Sequence, residues 1–261
     1  MQYMKYYNIY KIMLSAETHR NEFMKLVITG NENKCIEYIN EHDDFYNATI
    51  YNQGKINMLQ LVCSRHLEKV AMALIDKKCN IIYQDMYGWS VIMYAKFYGL
   101  NNVVTYIIDN ITDVTTRATH RGMSEMMYIC GSAYSDHIIK MIDRGYNIYY
   151  RSVADESLFI IATNLRIYQI VKKLIDIDTN FIDEFNTIYH NLKLKRDEFY
   201  YDITKYCADK RDGYKHEIIA TMNDASPANA LHQSFHTTYA VELVDIICDY
   251  IILHVLPIKK S

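Results

Sequence analysis

Apolar residues recur along this chain with a period of about 33 positions. Four Ile-Asp pairs recur at intervals of 33, 34 and 33 residues: Ile75-Asp76, Ile108-Asp109, Ile142-Asp143 and Ile175-Asp176. A second apolar residue lies thirteen positions before each of these isoleucines, at Val62, Ala95, Ile129 and Ala162. Because both positions repeat together, the pattern predicts one supersecondary unit that has been duplicated several times.

The segment 85–110 shows the predicted elements most clearly. Tyr87-Gly88 indicates a tight turn, and Gly99 indicates the end of a short helix, since glycine adopts the left-handed conformation without steric cost. The apolar positions are Ile92, Met93 and Ala95 in the first predicted helix and Val103, Val104, Ile107 and Ile108 in the second. Each set lies on one face of its helix. Neither helix is long enough to be stable alone, so the pairs are expected to stack on their neighbours.

This unit resembles an ankyrin repeat. The residues that follow the family pattern, which begins D-x-x-G-x-T-P-L-H-x-A, are Asp85, Gly88, Ser90, Ile92, Ala95, Gly99 and Ile107-Ile108. Weaker copies occupy 54–76, 121–143 and 154–176, and a degenerate copy occupies 22–40. Most copies depart from the family at the Thr-Pro and His positions, and several lack the hairpin glycine. The tyrosine- and isoleucine-rich, proline-poor composition resembles the ankyrin proteins of large DNA viruses, of poxvirus or giant-virus type.

The resemblance implies an all-α solenoid of helix-turn-helix pairs with hairpin connections and a helical C-terminal cap. We expect an N-terminal segment at 1–20, about five repeats at 21–180, a degenerate repeat or helical extension at 181–224, and a C-terminal helix at 225–261. Helices are predicted over Ile182–Lys195 and Asp197–Cys207, and Gly213 is expected to begin a worn sixth repeat. Ser226 and Pro227 are predicted to open the last helix, from about Ala228 to Leu256, as its cap and first residue.

Composition narrows the class of partner. The net charge of −3 and pI near 6.4 give no electrostatic reason to expect nucleic acid or an acidic membrane. The longest apolar run, Ile246 to Leu256, is short and contains Asp249 and His254, so no bilayer span is expected. Six scattered cysteines without a CxxC pair are typical of buried thiols in a reduced, intracellular protein.

Few residues suggest catalytic or metal chemistry. His232 and His236 are four apart on a predicted helix, but Gln233 follows the first of them where a metalloprotease has glutamate. Cys63 and His66 have ligand spacing but fall where the repeat helices turn. No phosphate-binding loop or nucleophile motif is present. We therefore expect no metal, no cofactor, no small-molecule substrate and no enzymatic activity.

The resemblance also implies where a partner binds. Ankyrin proteins usually hold partners with hairpin tips and with first-helix residues on the concave side. The residues of this chain at such positions are Gln84, Met86, Tyr87, Trp89, Phe97, Tyr98, His120, Arg121, Met123, Tyr150 and Arg151. Exposed aromatic residues are typical anchors of binding energy, so we expect Tyr87, Trp89, Phe97 and Tyr98 to be exposed. The alternative is that these aromatics pack against adjacent repeats.

The last predicted helix has two interpretations. Its apolar stripe is Ala240, Leu243, Val244, Ile247 and Ile251, and its acidic side is Glu242, Asp245 and Asp249. Such a stripe favours a helix that caps the open end of a repeat array. The run 240–251 also resembles the first helix of the F-box-like segments that end many poxvirus ankyrin proteins. That resemblance implies an adaptor that brings substrates to a cullin-type ubiquitin ligase.

These observations predict a non-catalytic protein-protein interaction module that acts inside a cell, in the host cytoplasm if the protein is viral. Its partner is expected to be a host or viral protein held by the concave face of the repeats.

Overall fold

The computed structural model describes residues 2–131, 134–192, 197–235 and 241–251, and these are mostly helical, as the sequence predicts. The helices are α1 (Gln2–Thr29), α2 (Glu32–Glu41), α3 (Met58–Ser64), α4 (Glu68–Asp76), α5 (Val91–Phe97), α6 (Asn101–Asn110), α7 (Glu125–Ile129), α8 (Ser135–Asp143), α9 (Leu158–Asn164), α10 (Tyr168–Ile177), α11 (Phe181–Leu192), α12 (Glu198–Asn223), α13 (Ala230–Phe235) and α14 (Val241–Ile251). Two short strands, β1 (Thr49–Ile50) and β2 (Ile56–Asn57), pair antiparallel.

The chain divides into two compact units. The first contains residues 1–130 and 136–158, and the second contains 131–135 and 159–261. In the first unit, helices of successive pairs contact one another in two rows. One row runs α1, α3, α5, α7 and the other runs α2, α4, α6, while each odd helix up to α5 also contacts the even helix that follows it. In the second unit, α12 contacts α10, α13 and α14.

The repeating apolar positions form the core of the helix pairs. All eight anchors, from Val62 to Ile175, are buried, and so are the four apolar positions predicted for α6. The aspartates that follow the isoleucines lie at the surface, and three of them accept hydrogen bonds from a later helix. Tyr106 bonds to Asp76, Lys140 to Asp109, and Tyr206 to Asp176. The period therefore reflects one inward contact and one surface contact between neighbouring helix pairs.

The turns share a left-handed residue at equivalent positions, whether or not that residue is glycine. Left-handed backbone, with φ between 57° and 86°, recurs at equivalent positions of the repeats. These are Lys55, Gly88, Gly122 and Asp155 in the hairpins, His66, Gly99 and Arg166 between paired helices, and Lys78 and Gly145 after the second helix. A non-glycine residue in this conformation costs about 1–2 kcal/mol. Contacts elsewhere in the fold therefore have to offset this cost at Lys55, His66 and Lys78.

Two details of the predicted secondary structure are wrong, and one expected segment boundary falls inside a helix. The helix that begins at Glu198 continues through Gly213 to Asn223, so no turn or new repeat starts at that glycine. Ser226 does not cap the following helix, because α13 begins at Ala230 and the side-chain oxygen of Asn229 accepts from the backbone N–H of His232. At the other end of the chain, α1 runs without a break across the boundary expected at residue 20.

The C-terminal helix α14 packs against α12. Val244 and Cys248 are buried, Leu243 and Ile247 are half-buried, and Ile246 is exposed. Asp245 is held by an ion pair of 2.7 Å with Lys215 of α12. Residues 236–240, which include Ala240 of the predicted stripe, and residues 252–261 lie outside the described residues. Within the described ranges, no helix combines the length and the apolar character that crossing a bilayer requires.

Candidate functional site

Four hairpin loops of the first unit, here called finger loops, carry most of the predicted binding residues. Finger loop 1 is the β1–β2 hairpin (49–57). Finger loops 2, 3 and 4 (84–90, 118–124 and 151–157) are each closed by one antiparallel bridge, between Gln84 and Ser90, Ala118 and Ser124, and Arg151 and Ser157. Backbone hydrogen bonds join finger loop 2 to finger loop 1 and finger loop 3 to finger loop 2. Met86 donates to the Gly54 carbonyl at 2.9 Å, and His120 donates to the Tyr87 carbonyl at 3.0 Å. The loop tips therefore stand side by side.

Finger loop 2 is organised around the buried carboxylate of Asp85. One oxygen accepts the backbone N–H groups of Tyr87 and Trp89, both at 2.8 Å, and the other accepts the Tyr94 hydroxyl at 2.8 Å. Gln60, fully buried in α3, donates to the Trp89 carbonyl at 2.8 Å. Aspartate at this position lets a side chain satisfy backbone donors that the turn leaves without partners. Both backbone groups of Trp89, the N–H and the carbonyl, therefore have hydrogen-bond partners.

A cleft of about 550 Å³ lies beside finger loops 2, 3 and 4. The lining residues of this aromatic cleft are Tyr87, Trp89, Thr119, His120, Arg121, Met123, Tyr128, Ser152, Ala154 and Glu156. Five of them were predicted from the sequence as partner-binding residues. A cleft of this size, lined by aromatic rings and a few polar groups, has the features of a ligand or peptide site.

An aromatic strip leads from the cleft across α5. The Trp89 ring contacts the rings of Tyr128 at 5.0 Å and Phe97 at 5.7 Å between centroids. Phe97 in turn contacts Tyr98, whose ring meets His66 edge-on. Tyr87 is 57% exposed and Phe97 61% exposed, as expected. Trp89 and Tyr98 were also expected to be exposed, but they are half-buried, because their rings pack on these neighbours.

Six predicted residues do not line the cleft. Phe97 and Tyr98 belong to the aromatic strip, and Gln84 and Arg151 have structural contacts within and between the finger loops. Gln84 donates its side-chain amide to the carbonyls of Gly88 and Ala118, which ties finger loop 2 to finger loop 3. Arg151 donates to the Asp155 carbonyl at 2.9 Å within finger loop 4. Met86 is exposed beside the cleft, and Tyr150 is half-buried.

Sequence reasoning missed Tyr128 and Glu156. Tyr128 lies 34 residues after Tyr94, so it occupies the equivalent first-helix position of the next repeat. That register was the available signal. Burial raises the pKa of Tyr128 above its ordinary value, and burial together with the hydrogen bond to Asp85 raises the pKa of Tyr94. Both rings therefore stay neutral at physiological pH. Glu156 is half-buried, and no sequence signal separates it from the other acidic residues of the loops.

The residues considered for metal binding do not converge. Cys63 is completely buried, whereas His66 is exposed and its ring packs on Tyr98. His232 forms a hydrogen bond of 3.0 Å through its Nδ1 with the Met222 carbonyl, and His236 lies outside the described residues. Among the residues that the structure describes, no group of three or more potential ligands is placed to hold a metal ion.

All six cysteines are free and buried, as their scattered positions predict. Burial raises the pKa of Cys79, Cys130 and Cys207 to about 12. Because the thiolate is the reactive form, these thiols are poor nucleophiles at neutral pH.

Asp85 offers a direct test of how the cleft is held. We expect Asp85→Ala to lower the free energy of unfolding by about 3 kcal/mol, because two backbone donors and the Tyr94 hydroxyl lose a charged acceptor. Tyr94→Phe removes only the hydroxyl bond and should cost about 1 kcal/mol. Urea denaturation followed by the fluorescence of Trp89, the single tryptophan, measures both. Equal losses in the two variants would show that the backbone bonds to Asp85 contribute little.

No protein-family model matches the sequence, and comparison with characterised proteins finds no significant similarity.

Proposed function

We propose that the protein is an ankyrin-type repeat module whose aromatic cleft and adjoining aromatic strip bind a partner protein. The observation that carries this proposal is the cleft of about 550 Å³, in which rings from two repeats meet beside three aligned finger loops. The aspartate contacts between successive helix pairs and the left-handed turns at equivalent positions support the repeat assignment.

The exposed part of the site has the composition of a binding surface. Tyrosine, tryptophan and arginine supply most of the binding energy in protein interfaces, and all three occur in the cleft. Tyr87 and Phe97 present large apolar surfaces to solvent on either side of Trp89. A partner that covers these two rings buries aromatic surface, which favours binding. Aromatic side chains have few rotatable bonds, so little conformational entropy is lost when they are covered.

The proposed role is non-catalytic and needs no cofactor. Burial keeps the cysteine thiols protonated, and the lining of the cleft pairs no nucleophile with a general base. The net charge of −3 favours a protein partner over nucleic acid. The module would act inside a cell, in the manner of the interaction proteins of large DNA viruses that the sequence resembles, with a host or viral protein as partner.

Paired variants test the proposal in affinity purification from cells that express the full chain. We expect Trp89→Ala combined with Tyr128→Ala to lose the partner that the unmodified protein retains, with affinity reduced by about 30-fold or more, or on the order of 2 kcal/mol. Tyr201→Ala is the control, because Tyr201 is an aromatic residue that is 54% exposed and lies in the second unit, which contributes no residue to the lining of the cleft. A partner that the cleft variant retains and the control loses would contradict the proposal.

We do not propose the ligase-adaptor function as a second candidate. That function requires the apolar side of α14 to be free for docking. Val244, which belongs to this apolar side, is buried where α14 contacts α12 in the second unit, and so is Cys248. This packing favours a capping role for α14 instead.

A further inference from the structure

The aromatic cleft combines electron-rich rings with a carboxylate that lacks a counterion. Tyr87, Trp89 and Tyr128 contribute the rings, and Glu156 contributes the carboxylate. Among the described residues, no basic side chain pairs with Glu156 and no donor bonds to its carboxylate. Ring faces attract cations through their quadrupole, and the attraction grows when the site is partly withdrawn from water. A cleft of this kind is suited to a positively charged group.

The two walls of the cleft are fixed before any ligand binds. The backbone N–H of Glu156 donates to the Ser152 hydroxyl at 3.2 Å, and its carbonyl accepts from the Ser152 backbone at 2.9 Å. The residue is therefore positioned by its main chain, while its carboxylate has no partner among the described side chains. Trp89 is held by Asp85, by Gln60 and by ring contact with Tyr128. Pre-organised walls reduce the entropy lost when a ligand enters.

Asp85 places a second negative charge next to Trp89. Asp85 lies directly behind the backbone of Tyr87 and Trp89, and within the described ranges it accepts hydrogen bonds only from uncharged donors. Its charge and that of Glu156 therefore both favour a cation in the cleft. The positive charge of the lining belongs to Arg121, which is exposed at the tip of finger loop 3. Within the described ranges Arg121 forms no ion pair.

We propose that the cleft accepts an arginine side chain of the partner protein, and that an acidic residue flanking this arginine pairs with Arg121. This inference rests on the proposed function and names the chemistry of its partner. Arginine fits better than lysine, because its planar guanidinium group stacks on Trp89 or Tyr128 while its fork of donors reaches the Glu156 carboxylate. The neighbouring Arg121 selects among arginine-containing segments by repelling those with a second basic residue at the flanking position.

Small probes test the cation site without knowledge of the partner. Because Trp89 is the single tryptophan, its fluorescence reports binding in the cleft. N-acetyl-arginine amide should give a saturable change in the full-length protein, at constant ionic strength. N-acetyl-lysine amide and tetramethylammonium chloride should bind more weakly, and N-acetyl-leucine amide should not saturate. Tighter binding of the leucine, lysine or tetramethylammonium probe than of the arginine probe would overturn the assignment.

Matched variants assign the effect to Glu156. Glu156→Gln should weaken binding of the arginine probe by about tenfold, which is the effect of losing one charge-assisted contact. Asp155→Asn removes a neighbouring carboxylate that already pairs with Arg151, and should leave binding unchanged. Thermal melting of each variant checks that the fold is intact. Equal weakening by both substitutions, or by neither, would contradict the role of Glu156.

A random-peptide display selection separates this inference from the proposed function. Selected peptides should contain arginine next to an acidic residue, and Arg121→Glu should shift the flanking preference to basic residues. Peptides that require Trp89 and Tyr128 but lack arginine would overturn the inference and leave the proposed function standing. Failure to select any peptide dependent on the cleft, together with no probe binding, would count against both.

Discussion

Replacing Glu125 by glutamine is expected to lower the free energy of unfolding by about 3–5 kcal/mol, because it leaves a buried guanidinium group without its counterion. Glu125 and Arg117 are both buried, and they form a two-pronged ion pair with contacts of 2.9 and 3.0 Å. Burial disfavours the charge of Arg117, but its hydrogen bonds with Glu125 outweigh that effect and raise the pKa of Arg117. Of a total stability of about 5–15 kcal/mol, a loss of this size is large.

Two further variants distinguish the buried pair from general electrostatic effects. Asp113 also approaches Arg117, but at 3.5 Å and with an exposed side chain, so Asp113→Asn should change stability little. The double variant Arg117→Met with Glu125→Leu should recover most of the stability, since apolar residues of similar volume replace buried ion pairs well. Urea denaturation followed by Trp89 fluorescence reports on the unit that contains the pair. A loss below about 1 kcal/mol for Glu125→Gln would mean that water reaches the pair.

The same variant bears on the candidate site. Arg117 precedes finger loop 3 and Glu125 follows it, so their ion pair closes the base of the loop that carries His120, Arg121 and Met123. We expect Glu125→Gln to weaken partner binding as well as stability, because the tip of this loop lines the cleft. Affinity purification measures this second effect as the amount of partner retained by the Glu125→Gln variant compared with the Asp113→Asn variant.

Ending the chain after Asp224 is expected to give a protein that aggregates or melts at a much lower temperature. The truncation removes α13 and α14 and exposes the part of α12 that they contact. Each fully buried aliphatic side chain such as Val244 contributes about 1.5–3 kcal/mol before entropy is counted. The ion pair between Lys215 and Asp245 and the hydrogen bond from Asn229 to the Thr221 carbonyl are lost as well. Light scattering and thermal melting of the 1–224 fragment measure the outcome.

Point variants in the full chain provide the control for the truncation. Val244 is 1% exposed and Ile246 is 51% exposed on the same helix. Val244→Asp should therefore lower the melting temperature sharply, whereas Ile246→Asp should change stability by about 0.5 kcal/mol or less. If the fragment instead stays soluble with an unchanged melting temperature, α14 does not cap the second unit. In that case a docking role for the helix becomes the better explanation.

Sequence periodicity predicted the helix pairs because burial is a strong local constraint. Apolar residues recur at the positions of Ala95 and Ile108 because these positions are buried against a neighbouring helix pair. A helix of seven or ten residues buries one apolar face, so its buried positions show in the sequence. The conformational freedom of glycine located the turn at Gly99, and the resemblance to ankyrin repeats implied the exposed rings of Tyr87 and Phe97. The same glycine argument failed at Gly213, since a single glycine lowers helix propensity by only about 1 kcal/mol, which neighbouring helical residues outweigh.

What the sequence by itself determined is the period, the helical class, the buried anchors and roughly half of the cleft lining. The tertiary structure alone decided which side chains meet across repeats and across the finger loops. Tyr128 reaches Trp89 from the next repeat, Glu156 joins the cleft from finger loop 4, and Arg117 finds Glu125 across a loop. Periodicity records whether a residue faces inward, which is a property of its own helix. Contacts between loops depend on how neighbouring repeats are stacked, and no local pattern in the chain encodes that distance.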